Sequence, residues 1–205
     1  MTHKHSGVKE GFARDYFNAL KAVIDRVDIT QVSSFLNELE RAYNEDRKIF
    51  IVGNGGSAGT ASHMACDLAK TVLGKKPDKK RRRFRLMSIT DNVQLITALG
   101  NDFGYEHVFT EQLSLFARRG DLLVVITGSG NSPNIINAVK MAREMGMRTA
   151  GMLGFDGGRA LPLLDSPVLI QDFNYGFIED LHMILDHLAT AFFCKQFQAP
   201  ERITR

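Results

Sequence analysis

The chain has 205 residues, 44% hydrophobic and 24% charged, with a formal net charge of +3. This length supports one domain with a sizeable core, and the composition is that of an ordinary globular protein. No run of about 18 apolar residues occurs and the first residues, MTHKHSGVKEGFARDYF, carry no apolar stretch, which argues against a membrane span and a cleaved leader.

From about Gly11 to Glu45, apolar residues recur at helical spacing: Phe12, Tyr16, Leu20, Val23 and Val27, then Val32, Phe35, Leu36 and Leu39. The stretch Asp28 to Thr30 reads as a break with an N-cap, so the pattern predicts two helices before the first strand. Apolar runs follow at 48–53, 84–89, 121–127 and 148–153, with a fifth at 166–171. Segments of helical spacing separate them at 57–73, 91–99, 105–118 and 133–145, and a last long helix is expected over 177–197. Strands apolar throughout, alternating with helices, predict a parallel sheet covered on both faces. The expected organisation is a flexible N-terminus over 1–10, one domain over 11–197 and a C-terminal tail over 198–205.

In such a sheet, ligands bind where strands end and helices begin. After the first strand comes GNGGSAGTAS (53–62), and after the third TGSGNSPN (127–134). Each combines glycine, which lets the backbone approach closely, with neutral serine and asparagine donors, and each opens a helix whose N-terminus favours an anion. Neither fits the dinucleotide fingerprint, because Ala58 stands where a third glycine belongs, and neither contains the Gly-Lys-Ser/Thr of a P-loop. One such loop could be an ordinary turn; two after alternate strands favour a phosphate cradle, with the phosphate between Ser57, Ser129 and Ser132.

Charge is uneven. Residues 75–85, KKPDKKRRRFR, hold eight of the 26 Lys and Arg and one of the 23 acids, leaving 18 basic and 22 acidic residues elsewhere, a net −4. This is a mildly acidic protein with one basic segment, either a solvated excursion or a lure for an anionic substrate at the entrance. Nucleic-acid binding is disfavoured, since Phe84 is the only aromatic in the run. The two cysteines, Cys66 and Cys194, have neither metal nor redox spacing and imply reduced thiols in a cytoplasmic setting.

Two acid–imidazole pairs stand out. His63 and Asp67 lie four apart on the helix opened by the first loop. Glu179 and His187 lie eight apart on the last helix, with His182 about 60° off that line. Any one of these histidines alone reads as an ordinary helix histidine. The pairs suit general acid–base catalysis or a divalent metal held by two imidazoles and two carboxylates, although periodicity does not bring them together.

The stretches GNGGSAGTASHMACDLA, ITALGNDFGYEHVFTEQL, GDLLVVITGSGNSPNIINAVKMAREMGM, GFDGG and IEDLHMILDHL resemble the sugar isomerase (SIS) fold, and within it the phosphoheptose isomerases of lipopolysaccharide and S-layer heptose synthesis. The resemblance implies a single α/β SIS domain with a five-stranded parallel sheet flanked by helices, assembled as a homotetramer with sites at subunit boundaries. It implies isomerisation of sedoheptulose 7-phosphate to D-glycero-D-manno-heptose 7-phosphate through an enediol. Substrate contacts then fall on Asn54, Gly55, Gly56 and Ser57, on Asn101 and Asp102, and on Thr127, Gly128, Ser129 and Ser132, together with Asp67 and Glu179. One zinc per subunit would be held by His63, Asp67, Glu179 and His187, and the catalytic roles fall on Asp67, Glu179 and His187. The base is Asp67, or Glu179 if Asp67 does not reach.

The chain departs from the family at several of these positions. Asp67 stands for the usual Glu, Glu179 for Gln, Gly128 for a hydroxyl residue and Thr71 for a common Arg. The shorter Asp67 moves a proton-transfer group by about 1 Å, enough to cost rate. A second reading is a binding module that kept the fold and lost the chemistry, like the replication-initiator-associating proteins that bind DnaA, which TDNVQLITALGND also resembles. Those relatives lack the histidine–carboxylate constellation. Two further motifs have ordinary readings: GFDGG as a turn, and GNDFG as a loop packing Phe103 inward.

Overall fold

The computed structural model describes residues 3–74 and 80–198. Helices α1 (His3–Ile24) and α2 (Ile29–Asn44) precede β1 (Lys48–Gly53). The Asp28 carboxylate accepts from the backbone N–H groups of Thr30 and Gln31 and so caps α2 at the expected break. There follow α3 (Gly56–Lys70), β2 (Arg85–Ser88), α4 (Val93–Asp102), α5 (Val108–Phe116), β3 (Leu122–Thr127), α6 (Pro133–Glu144), β4 (Arg148–Gly154), β5 (Ser166–Ile170) and α7 (Tyr175–Gln198). The C-terminal tail lies outside the described residues from position 199.

All five strands are parallel, in the order β2-β1-β3-β4-β5. The chain leaves β1 on one side to make β2 and on the other to make β3. The crevice between the C-terminal ends of β1 and β3 is therefore the switch point where open sheets of this order bind ligands.

Successive side chains of each strand enter opposite layers. On one face Ile49, Ile51, Leu122 and Val124 pack with Phe35 and Leu39 of α2, Met64 and Leu68 of α3, and Leu185 and Phe193 of α7. On the other, Phe50, Val52, Leu123 and Val125 pack with Leu99, Val108, Leu113, Ile135 and Val139 of α4 to α6. Both faces are dry, which is why the strands read as unbroken apolar runs.

The two N-terminal helices pack differently. Val32, Phe35, Leu39 and Ala42 of α2 are buried in the core, because its apolar stripe is wide enough to cover β4 and β5. Most of α1 is exposed: it meets the core through Val23 and α7 through Tyr16, whose ring meets Phe177 at 4.9 Å and whose hydroxyl donates to Asp180 at 3.0 Å.

Residues 75–79 of the basic segment lie outside the described residues. Of the rest, Arg81 donates to the Phe197 carbonyl, and Arg82 donates to the carbonyls of Tyr43 and Asn44. These guanidinium groups close the C-terminal ends of α7 and α2, where the dipole favours cations. They sit at the edge where the strands start, away from the glycine loops.

Candidate functional site

The first loop turns sharply because Gly53 brings its α-carbon against the next turn: a Cβ there would lie 2.4 Å from the Ser57 carbonyl oxygen. Ser57 is buried at the start of α3, and its N–H donates to the Asn54 carbonyl. The Asn54 side chain faces inward. It exchanges amide hydrogen bonds with Asn134 at 2.9 Å in both directions and accepts from the Tyr105 hydroxyl at 3.0 Å. Its amide thus ties the two glycine loops together. Beside it, Gly53, Asn54, Thr90, Thr97, Tyr105 and Phe109 border a cavity of about 230 Å³.

The second loop is braced from the GFDGG segment, which is more than a turn. Gly130 has φ of +63°, and a Cβ would fall 2.0 Å from the Gly157 carbonyl oxygen, so only glycine fits. The Ala160 N–H donates to the Gly130 carbonyl, and Arg159 reaches the Asn131 carbonyl. Thr127 is buried and its hydroxyl accepts from the Gly130 N–H, so it shapes the loop from within. Ser129 accepts from the Asn131 N–H at 3.3 Å. Ser132 begins α6 without a side-chain capping bond, leaving its hydroxyl beside the helix N-terminus. Gly128 is explained by Tyr175, whose ring would lie 2.7 Å from a Cβ there.

Asn101 and Asp102 end α4, exposed, with the Asn101 amide donating to the Asp102 carboxylate at 2.8 Å. They do not border the cavity. Phe103 is 60% exposed, so the inward packing expected of GNDFG does not occur. The chain turns there through Phe103 and Gly104, and the ring is left facing out.

The packing of α3 on α7 brings the acid–imidazole residues together. His63 Nε2 lies 3.2 Å from His187 Nε2, 3.6 Å from Asp67 Oδ2 and 4.0 Å from Asp186 Oδ2. One ligand atom from each of His63, Asp67, Asp186 and His187 lies within 4.8 Å of the others, and this group can hold a metal ion. The second oxygen of Asp67 accepts from the Thr71 hydroxyl at 2.9 Å, which fixes its orientation. Asp186 is fully buried and neither of its oxygens has a partner. Burial, and then the nearby Asp67 charge, push its carboxyl up to about 7.

Glu179 lies elsewhere. Its oxygens come within 2.8 and 2.9 Å of where a Gly56 Cβ would be, so it stands at the N-terminus of α3. Glycine at position 56 is what admits it, and the dipole favours its charge there. A carboxylate at that helix end leaves the α6 N-terminus as the better seat for a phosphate.

Sequence reasoning missed Asp186. It is adjacent to His187, and neighbours on a helix point about 100° apart. The available signal was an acid at a core-facing position of α7, between the buried Leu185 and Ala189.

Comparison with known proteins accords with this geometry. The SIS-domain family model matches residues 15–154. The chain is 39% identical over 140 residues to the phosphoheptose isomerase of Aliarcobacter butzleri, covering 68% of this chain and 71% of that one. The chain belongs to the phosphoheptose isomerase family of SIS domains. It is also 30% identical over 186 residues to the phosphoheptose isomerase of Geotalea daltonii, covering 91% and 88% of the two chains. The SIS domain superposes on phosphoheptose isomerase GmhA from Neisseria gonorrhoeae with a TM-score of 0.80 at 29% identity, over 92% of this chain and 99% of that one. Among the described residues no helix is long and apolar enough to cross a membrane.

Proposed function

We propose that this chain is a phosphosugar aldose–ketose isomerase that converts sedoheptulose 7-phosphate to D-glycero-D-manno-heptose 7-phosphate. The observation that carries the reading is the meeting of α3 and α7. It sets His63, Asp67 and His187 in one cluster, with Glu179 on the same helix pair beside the first glycine loop. A docking module has no need of such a constellation.

The phosphate sits on the second loop, held by Ser129, Ser132 and the α6 N-terminus, with the first loop and the exposed Asn101 and Asp102 toward the sugar. Glu179 is the base. Asp67 has one oxygen tied to Thr71 and the other turned to His63, whereas the Glu179 carboxylate stands against the bare backbone of Gly56. Glu179 removes a proton from the hydroxyl-bearing carbon next to the carbonyl, leaving an enediol, and returns it to the former carbonyl carbon. His187 moves the proton between the two sugar oxygens, which are the atoms that exchange hydroxyl and carbonyl character.

The donor set of imidazoles and carboxylates fits a divalent metal, and zinc is the ion that suits it best. His63, Asp67 and His187 would hold it. When bound, the ion supplies Lewis-acid polarisation of the sugar carbonyl. The working unit is a homotetramer in the cytoplasm, where phosphorylated sugars occur and Cys66 and Cys194 stay reduced, as their unpaired state allows.

The test is direct: purified protein and sedoheptulose 7-phosphate, with aldoheptose 7-phosphate measured with and without added zinc. Product formation abolished by His187→Ala supports the reading. No turnover in either condition refutes it.

A further inference from the structure

The end of the sheet opposite the glycine loops carries two adjoining cavities that the isomerisation does not use. We propose that together they bind a nucleoside phosphate, with its base on Met87 and Phe116 and its phosphate among Arg47, Lys48 and Arg118. This site takes no part in the isomerisation and does not depend on that reading.

Lys48 and Arg85 open β1 and β2 and pair in register across the sheet. Gly53, where the first glycine loop begins, lies five residues further along β1, about 17 Å at the rise of a strand. A ligand at the strand starts is thus separate from both glycine loops and from the histidine–carboxylate cluster.

The two cavities divide by chemistry. One, of about 270 Å³, is bordered by Leu86, Met87 and Phe116 with Lys48 and Arg85. Met87 and Phe116 are exposed although both are large and apolar. The other, of about 220 Å³, is bordered by Arg47, Lys48, Arg85 and Arg118 with Asp46 and Asp121. Lys48 and Arg85 line both, so the cavities meet along those side chains. Neither alone reaches the range of about 300–1,000 Å³ usual for small-molecule sites, whereas the pair does. A ligand that fills both has an apolar part and a polar part.

The polar half is a built feature. Asp121 is buried, and its two oxygens accept from the main-chain N–H groups of Lys48 and Arg118, each at 2.9 Å. One carboxylate thereby fixes two cationic residues relative to each other. Gly120 has φ of +87°, and a Cβ there would lie 3.0 Å from the guanidinium carbon of Arg47. Glycine lets that guanidinium lie against the turn that carries Arg118. The Lys48 ammonium donates to the Phe116 carbonyl at 3.0 Å, which joins the cationic wall to the aromatic one.

Charge decides the sign of the ligand. The two acids are already engaged: Asp46 pairs with Arg85 at 3.2 Å, and Asp121 is spent on main-chain N–H groups. Arg47 has only the exposed Glu45, at 3.5 Å, and Arg118 has no ion pair among the described residues. Two guanidinium groups beside an ammonium suit the several oxygens of a phosphate. A phenyl ring and a thioether offer the soft, flat surface on which a base stacks. A nucleoside phosphate satisfies both halves, and an inorganic anion satisfies one.

The experiment is titration calorimetry of the full chain at low salt with adenosine 5′-monophosphate, inorganic phosphate and adenosine. The wild type should bind one nucleotide per chain with a Kd on the order of 10 µM, which ordinary ligand efficiency gives a molecule of that size. Phosphate and adenosine should each bind at least about 10-fold more weakly. Arg118→Ala and Phe116→Ala should each weaken the nucleotide by about 10-fold, with melting temperatures nearly unchanged because both side chains are exposed. The glycine loops also attract phosphate, so the double variant Ser129→Ala, Ser132→Ala is titrated beside them and should bind the nucleotide as the wild type does. A nucleotide that binds no tighter than phosphate, or more weakly than about 1 mM, overturns the site. So does unchanged affinity in Arg118→Ala or Phe116→Ala, or a loss confined to the double serine variant. Nucleotide binding as expected in a protein that isomerises nothing upholds this site while the isomerase reading falls.

Discussion

Two single residues carry consequences out of proportion to their size. At Gly56, a methyl group would fall 2.8 Å from Glu179 Oε1, so any substitution pushes the carboxylate from the mouth of α3. Alanine is otherwise welcome in the first turn of a helix, which separates the catalytic effect from the structural one. Gly56→Ala is expected to lower kcat by about 10- to 100-fold, as misplacements near 1 Å do, with melting temperature and metal content nearly unchanged. Steady-state kinetics beside a melting curve checks this, and an undiminished kcat would show that the position of Glu179 does not matter. His182 raises a different matter. Burial drives its imidazole down to about 4. The unfolded chain therefore binds a proton that the folded chain refuses between pH 6.5 and 4, and His182 costs stability as pH falls through that window. Asp186, held near 7 by burial and Asp67, acts with the opposite sign in the metal-free protein: it takes up its proton earlier when folded and gains stability over the same fall. The two slopes oppose each other in the wild type. His182→Leu should therefore be stabilised relative to wild type progressively from pH 6.5 to 4, by up to about 3 kcal/mol. Chemical denaturation at several pH values measures it, and a pH-independent difference would refute the buried neutral imidazole.

At the level of elements, α2 is fastened to the sheet by charge as well as by its apolar face. Glu38 receives Arg148 from the start of β4 and Arg41 from its own helix, at 3.0 Å for the latter. Burial opposes its ionisation, but hydrogen bonds from Arg148 and then Arg41 outweigh this and hold the carboxyl below its ordinary range. Its contribution is thus present at neutral pH and lost only as pH falls through that lowered value. Arg148→Ala should cost about 1–3 kcal/mol in urea unfolding, the range for hydrogen bonds to charged groups. Glu38→Leu should cost less, since an apolar residue takes the buried place and the half-exposed Arg148 left behind reaches solvent. The reverse order would mean that the ion pair does not fasten α2. The same helix shows what a sequence reveals and what it hides. Its N-cap at Asp28 and its stripe of Val32, Phe35 and Leu39 were readable, because capping and periodicity are local properties. So were the five strands, each apolar along its length because both faces are covered. That α2 lies on the sheet while most of α1 is exposed was not readable, since both helices show apolar faces and only tertiary packing chooses between them. His63 and Asp67 could be paired by spacing alone. Asp186 could not, because its role depends on how α7 rotates against α3, and one residue of rotation decides whether an acid meets the site or the core.

For the whole molecule, the unpaired faces decide the state of assembly. Ile184, Leu188 and Phe192 recur every fourth residue on α7 and are 42%, 39% and 39% exposed, while Val8 and Phe12 on α1 are 73% and 72% exposed. A solitary exposed leucine needs no explanation, but apolar rows at helical spacing on two helices are the surfaces that the proposed tetramer would cover. The α7 row is contiguous in sequence with His187, so whatever covers it also borders the histidine–carboxylate cluster. A lasting interface buries about 1,200–2,000 Å² in total, more than one short row supplies, and this requires both helices to take part. Light scattering of the wild type should give four times the chain mass. The paired substitution Leu188→Glu and Phe192→Glu places two charges on that row and should yield smaller species. Because neither side chain is a donor or a base in the proposed chemistry, activity should fall in step with dissociation, returning as protein concentration is raised. If the wild type is a monodisperse monomer, or if the charged variant stays tetrameric, the α7 row is not the seam. If the variant dissociates yet keeps full activity, each chain carries a complete site, and the exposure of Asn101 and Asp102 then reflects an open cleft rather than a place for a neighbour.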